Sequence, residues 1–389
     1  MSILAVILAF GLAVLSQTGS PSAATASQVP ANSSQTAPSK PYHVVRTMPL
    51  PFLKRLGGRF AFEAKSRRLF IADGKDLIVI NADTGETVGT ITKVGYASDI
   101  AFAPDIHKGF VVDSEHSGLV VFDLQTLTII EKVRKVPESS LVLYDAATNK
   151  VVTASAQSKD CQVFEPLTDK VIATLKLGGF PLQGVNDSVG HVYFELGREA
   201  FRDPREFGLD GFISNALPLG TSAEIAVLDG QSLQITDRWK EPSCKNMRLI
   251  GIDRALGRLF AGCGSSLAEI DVQTGKLDLS TPIPVKLLWY LKFDEELGDV
   301  FAVVPRPPTL IVLHENPSGG FDRPVIGAAK WFSDLMVFDD KAGSFFVLQS
   351  DDENADTGLF AAIPGVGMQS LKVPEPVPGT FRLVVYSKN

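Results

Sequence analysis

Short runs in which apolar residues alternate or follow one another, such as Leu77-Ile78-Val79-Ile80 and Glu224-Ile225-Ala226-Val227-Leu228, punctuate this chain. A period of two places alternate side chains on opposite faces, so these runs predict β-strands in sheets packed face to face. Several runs end on one polar template: an Asp-like residue, two variable residues, Thr or Ser, then a turn. Side-chain oxygens at its first position can satisfy the amides of a tight turn, which accounts for the residue type. The template occurs as Ile80-Asn81-Ala82-Asp83-Thr84-Gly85, Phe122-Asp123-Leu124-Gln125-Thr126, Phe164-Glu165-Pro166-Leu167-Thr168, Leu228-Asp229-Gly230-Gln231-Ser232 and Ile270-Asp271-Val272-Gln273-Thr274-Gly275. Its Asp-like position recurs in steps of 42, 42, 64 and 42 residues. A period near 42 is that of a four-stranded propeller blade, and the longer step is one period with a 22-residue insertion.

A second template lies upstream in each unit, where an apolar strand meets a polar turn and a new strand opens on a Leu-Phe-like pair. Ile252-Asp253 followed by Arg258-Leu259-Phe260 shows it best, and Tyr144-Asp145, Asn186-Asp187, Phe293-Asp294 and Phe338-Asp339 repeat it. Together the templates count seven units. The last unit stops after Phe381-Arg382-Leu383-Val384-Val385-Tyr386 without an outermost strand, and Val44 to Leu50 matches the outer-strand segment Val171 to Leu177. The predicted fold is therefore all-β: a seven-bladed β-propeller whose blade seven is closed by the N-terminal strand, leaving no free ring edge. Two insertions, Arg198 to Thr221 and Asp351 to Val377, fall between the second and third strands of blades four and seven. Chain direction puts both on the face that also carries the blade-to-blade connections. As long loops without obvious secondary structure they mark that face as the binding surface.

The resemblance to a family rests on Tyr42-His43-Val44-Val45-Arg46-Thr47, Ala101-Phe102-Ala103-Pro104-Asp105, Cys244 with Arg258-Leu259-Phe260-Ala261-Gly262-Cys263, Leu313-His314-Glu315-Asn316 and Pro378-Gly379-Thr380-Phe381. Across residues 42 to 389 the chain resembles the exported YncE-like propellers built of YVTN repeats. The resemblance implies a secreted or periplasmic binding or interaction protein, with no common catalytic residues to carry over. The chain departs from the family pattern at Ser98-Asp99 and at Leu288-Trp289, both on the channel side.

The ends fit export. Ile3 to Leu15 is an apolar run too short to span a membrane, and Ala24-Thr25-Ala26 offers a cleavage site. Residues 1–26 read as a signal peptide, 27–41 as a flexible Ser, Ala, Thr, Gln and Pro tether, and 42–389 as the propeller. The mature chain is expected to be a periplasmic or secreted monomer without an integral span. A formal charge of -7 opposes generic nucleic-acid binding, which draws on Lys and Arg.

Candidate ligand-binding residues lie on the insert face. Arg198, Phe201, Arg202 and Arg205 suit an acidic or aromatic group, although Glu199, Asp203 and Glu206 alternate with the arginines as local partners. Phe180, Trp289, Tyr290 and Trp331, near the starts of inner strands, suit stacking on a planar ligand. No metal or cofactor is expected. The five histidines scatter over different blades and both faces. Asp352, Asn354, Asp356 and Gly358 only loosely resemble a calcium loop, with Gly one position late. No Gly-x-Ser-x-Gly elbow or phosphate loop is present. Of three cysteines, Cys244 and Cys263 should meet at one end of a blade-five hairpin as a disulfide, leaving Cys161 as a free thiol. The leading function is a noncatalytic binder of a small molecule or an envelope protein. The alternative is a propeller enzyme, a lactonase, lyase or quinone-linked dehydrogenase subunit, with catalytic residues drawn from several blades.

Overall fold

The computed structural model describes residues 42–54, 59–134, 136–137, 139, 141–197, 222–245, 247–264, 266–283, 290–305, 308–316, 320–322, 325–328, 336–363 and 367–388. These form seven four-stranded antiparallel sheets and one two-stranded sheet. The chain enters with β1 (His43–Pro49) and builds blade one from β2 (Phe60–Glu63), β3 (Arg68–Asp73), β4 (Asp76–Asn81) and β5 (Thr87–Ile91). Blade two is β6 (Ala97–Ala103), β7 (Lys108–Asp113), β8 (Gly118–Asp123) and β9 (Ile129–Arg134); blade three is β10 (Leu141–Asp145), β11 (Lys150–Ser155), β12 (Asp160–Glu165) and β13 (Lys170–Lys176). Blade four is β14 (Phe180–Asn186), β15 (His191–Gly197), β16 (Ser222–Asp229) and β17 (Gln234–Lys245); blade five is β18 (Met247–Asp253), β19 (Arg258–Cys263), β20 (Ser266–Asp271) and β21 (Leu277–Pro282). Blade six is β22 (Tyr290–Asp294), β23 (Asp299–Pro305), β24 (Pro308–His314) and β25 (Val325–Ala328). Blade seven holds β26 (Met336–Asp339) and β27 (Ser344–Gln349), then a hairpin of β28 (Asp352–Ile363) and β29 (Gly367–Pro376), and finally β30 (Arg382–Ser387).

The Leu-Phe-like pair at the start of each second strand explains how blades join. Adjacent residues on a strand point to opposite faces, so each residue of the pair enters a different interface. Leu69 packs with Phe346 and Leu383 of blade seven, whereas Phe70 packs with Val111 and Phe122 of blade two. Leu259 likewise faces Tyr193 and Ile225 of blade four, and Phe260 faces Phe293 and Ile311 of blade six. Burying such a phenylalanine contributes about 2 to 3 kcal/mol.

The polar template forms the predicted turns. Asp123 Oδ1 accepts hydrogen bonds from the amides of Gln125 (2.9 Å) and Thr126 (2.6 Å), and Asp229 and Asp271 repeat the arrangement. Those bonds hold the carboxyls of Asp123, Asp229 and Asp271 below their usual range. Gly275 ends one such turn at φ +68°, and a Cβ there would meet the Trp239 ring at 2.2 Å, so only glycine fits.

The face carrying these turns, here called the lower face, is stitched blade to blade by polar groups. Arg68 donates to the Leu124 carbonyl (2.8 Å), Lys108 to Asp169 (2.9 Å) and Asn186 to the Tyr144 carbonyl (2.9 Å). Arg254 donates to the Asn186 carbonyl and to Glu295, the Gly320 amide to Glu269, and Arg67 pairs with Asp339 at 2.8 Å. Asp299, fully buried in blade six, ties in blade seven. It accepts from the Tyr42 hydroxyl (2.6 Å) and from His314 Nδ1 (2.9 Å), and pairs with Lys388 (2.5 Å). Burial and the Asp299 charge push the Tyr42 phenol far up. Another buried cluster sits between blades five and six, where Arg258 contacts Glu269 (3.0 Å) and Glu315 (3.5 Å). Burial, with the charge and hydrogen bond of Asp253, pushes Glu315 up to about 8, so it holds a proton at neutral pH.

The predicted closure is observed: β1 pairs antiparallel with β30 from His43↔Ser387 to Pro49↔Arg382, giving the sheet order β1-β30-β27-β26. The predicted disulfide is present as well. Cys244 and Cys263 lie with Cα atoms 4.8 Å apart, linking the end of β17 to the end of β19. Cys161 is free and fully buried, and burial pushes its thiol up to about 12. One expectation is corrected. The Asp351 to Val377 insertion is not a loop without secondary structure but the β28–β29 hairpin, paired from Asp352↔Pro376 to Ile363↔Gly367. Asp352, Asn354 and Asp356 therefore lie in register opposite Pro376, Pro374 and Lys372 rather than in an open acidic loop. The blade-four insertion lies outside the described residues.

Three outcomes follow from these contacts. Deleting residues 41–51 should lower the urea midpoint of the whole domain in one transition, and Tyr42→Phe alone should cost about 1 to 3 kcal/mol because it leaves Asp299 short of a donor. An unchanged midpoint in both would disprove the closure. Reduction of Cys244–Cys263, which closes a loop of 19 residues, should cost about 3 kcal/mol or less while Cys161 resists alkylation until unfolding. Glu315 has a raised folded pKa, so its contribution is complete below its ordinary value and is lost as pH rises through about 8. Urea titrations at pH about 5 and about 9 should show this loss in the wild type and a flatter dependence in Glu315→Gln.

Candidate functional site

The seven first strands, β2, β6, β10, β14, β18, β22 and β26, form the inner wall of the ring, each at the free inner edge of its sheet. Lateral contacts run from β2 to β6, β10, β14, β18 and β22, and β2 also meets β26. Within this wall the repeat is broken by charge. Counting two positions back from the end of each first strand or its terminal acid gives Ala61, Ala101, Leu143, Val185, Gly251 and Val337, but Lys292 in blade six. Two positions further back stand Arg59 in blade one and Asp99 in blade two, which explains their proximity across adjacent blades.

Arg59 directly precedes β2, and its carbonyl accepts the Ala72 amide (2.9 Å), fixing it at the end of the blade where β3 finishes. Its Nε donates to the Ser98 carbonyl and lies 3.9 Å from Asp99 Oδ1. Asp99 follows a register shift in β6, and its Oδ2 accepts the Val142 amide of blade three (2.9 Å). Ser98 donates to the carbonyl of Ser139 (3.1 Å), so the shifted segment is held on both sides. Burial raises the Asp99 carboxyl against the opposing pull of Arg59. Burial, then repulsion from Arg59, lowers the Lys292 ammonium against the pull of Asp99. Arg59 and Asp99 thus face each other across blades one and two toward the face that carries the insertions, and the charges of both act on Lys292 of blade six.

The residues predicted from sequence fare differently. Phe180 opens β14 and is partly buried, with the Lys159 ammonium 4.5 Å from its ring centre; that ring face is covered by the protein's own cation. Tyr290 opens β22 opposite Val303. Arg198, Phe201, Arg202, Arg205, Trp289 and Trp331 lie outside the described residues. Arg59, Asp99 and Lys292 were not singled out from sequence, although Ser98-Asp99 was noted as a departure and Lys292 interrupts the apolar run Leu291 to Phe293.

A second polar cluster lies on the same face. Asp113, Glu115 and His116 bring ligand-type atoms within 4.8 Å of one another. Their bonds already account for them: Asp113 Oδ1 accepts the amides of Glu115 and His116, Asp113 Oδ2 accepts His116 Nδ1 (2.7 Å), and Glu115 pairs with Lys75. Gly95 at φ +81° leaves room for the Asp113 carboxylate, which a Cβ would strike at 2.0 Å. This cluster is a turn built around Asp113.

No family model and no curated protein matches the sequence. Among solved structures the chain is similar to Kuenenia stuttgartiensis hydrazine synthase, at 10% identity and a TM-score of 0.60 over 75% of this chain and 92% of that one. It is also similar to the β-propeller domain of Myceliophteria thermophila Cps50 (Swd1), at 10% identity and a TM-score of 0.59 over 89% of this chain and 99% of that one. At such identity the likeness is one of fold, and the fold is a seven-bladed β-propeller.

Proposed function

We propose that this chain is an exported, noncatalytic propeller of the YncE-like kind that binds a small molecule or an envelope protein on its insert-bearing face. One observation carries the reading. Arg59 and Asp99, at one shared position of the first strands, and Lys292, at a position where the other blades carry apolar or small residues, bring ionisable groups into the inner wall toward that face. The charges of the lower face, by contrast, are engaged in joining blade to blade. A concave opening lined by a few polar groups and flanked by insertions is the usual setting for a ligand. The Cys244–Cys263 disulfide favours an oxidising compartment. Among the described residues no helix is long and apolar enough to cross a membrane.

Envelope crosslinking followed by native mass spectrometry tests the assignment. Shortening residues 198–221 to a tight turn should abolish the recovered partner or ligand, because β15 and β16 can still pair without the insertion. Reversing the exposed lower-face charge of Glu86 should leave recovery unchanged. The opposite pattern would move the working surface to the other face.

A further inference from the structure

We infer that the channel mouth takes a small organic carboxylate, docked in a bidentate pair on the outer nitrogens of Arg59. This rests on reading the insert-bearing face as the working one.

The Arg59 side chain is 49% exposed. Its Nε is committed to the Ser98 carbonyl, whereas its two outer nitrogens have no partner among the described residues. Asp99 attracts the guanidinium from 3.9 Å, too far for a hydrogen bond, so the outer edge keeps its donors. With Nε engaged, that outer edge is a flat fork whose parallel N–H groups match the two oxygens of a carboxylate. The Arg59 backbone is fixed by Ala72, so the fork is presented from a defined origin rather than from a free loop. Gln183, four residues before Asp187 as Arg59 is before Glu63, is exposed and adds an amide at the same level of the wall.

Asp99 sets the charge the site accepts. A ligand seated on Arg59 lies beside this carboxylate, and each further negative charge on the ligand meets its repulsion. A monoanion is therefore favoured over a phosphate dianion.

Calorimetric titration of the full chain with sodium acetate, sodium benzoate and inorganic phosphate tests this, with melting curves run on each variant. A carboxylate should bind the wild type better than phosphate does. Arg59→Gln should weaken it about tenfold or more, and Arg59→Lys nearly as much, since an ammonium keeps the charge but loses the fork. Asp99→Asn, which retains an acceptor for the Val142 amide, should improve phosphate relative to acetate. The inference is overturned if no carboxylate binds the wild type below about 10 mM, if phosphate is preferred, or if a folded Arg59→Gln binds acetate undiminished. Such a failure leaves the face assignment standing when shortening residues 198–221 still abolishes partner recovery. Carboxylate binding that survives while the shortened protein keeps its partner separates the two in the other direction.

Discussion

Everything in this molecule depends on the ring being shut, and it is shut without a covalent bond. A blade packed on one side only would leave half of each Leu-Phe-like pair exposed, so no blade is stable as an end. The outer strand β1 contributes little apolar burial of its own, since only Met48 of its seven residues is buried. Its register is instead fixed at both ends. Met48 and the following Leu50 enter the core shared by blades seven and one, while Tyr42 reaches Asp299 and lodges its ring against Phe301 and Phe345. Lys388, just past β30, reaches the same carboxylate and lies over the same ring. Burying Asp299 has a desolvation cost, which three donors in fixed positions offset only when both chain ends are in place. The carboxylate thus specifies the closed register as much as it adds stability.

The repeat was legible because the ring makes the same demand of every blade. Alternation sends neighbouring residues into two interfaces, and the Asp-like position caps the same turn, so Asn81, Asp123, Asp229 and Asp271 each accept the amides two and three residues on. Glu165 departs from the pattern in chemistry rather than in position. Pro166 follows it, and although the Glu165 backbone carbonyl accepts the amide four residues on as in the other turns, the Glu165 carboxylate turns to Lys150. The disulfide was legible on the same ground, because the repeat map fixed which strand ends meet. The hairpin β28–β29 was not. Its sequence carries acidic, small and apolar residues without sustained alternation, and pairing between two inserted segments follows from neither template.

The channel site was hidden for a related reason. A template identifies what blades share, whereas Arg59, Asp99 and Lys292 matter because they differ from their counterparts in other blades. Lys292 is a single charge in an otherwise apolar or small position, and Arg59 and Asp99 share a position that varies from blade to blade, which composition and motif spacing pass over. Aromatic residues drew attention instead, and Phe180 shows the difficulty: its ring is a plausible stacking platform by type, yet Lys159 already occupies one face of it.

Structural necessity separates the two faces. On the lower face a charge is the cheapest way to join blades whose strand ends leave carbonyls and turn amides unmatched, and Lys108 illustrates it by satisfying both Asp169 and the Pro166 carbonyl across one interface. Changing such a residue uncouples two blades, so the ring constrains it. The inner wall imposes no such need. Ala61, Ala101, Leu143, Val185, Gly251 and Val337 complete it without charge, and Lys292 in their place introduces a cation whose ammonium burial disfavours. A fold that can close without that cost carries it beside Arg59 and Asp99, where the Asp99 charge offsets part of it, so this arrangement is balanced among three residues rather than demanded by the ring.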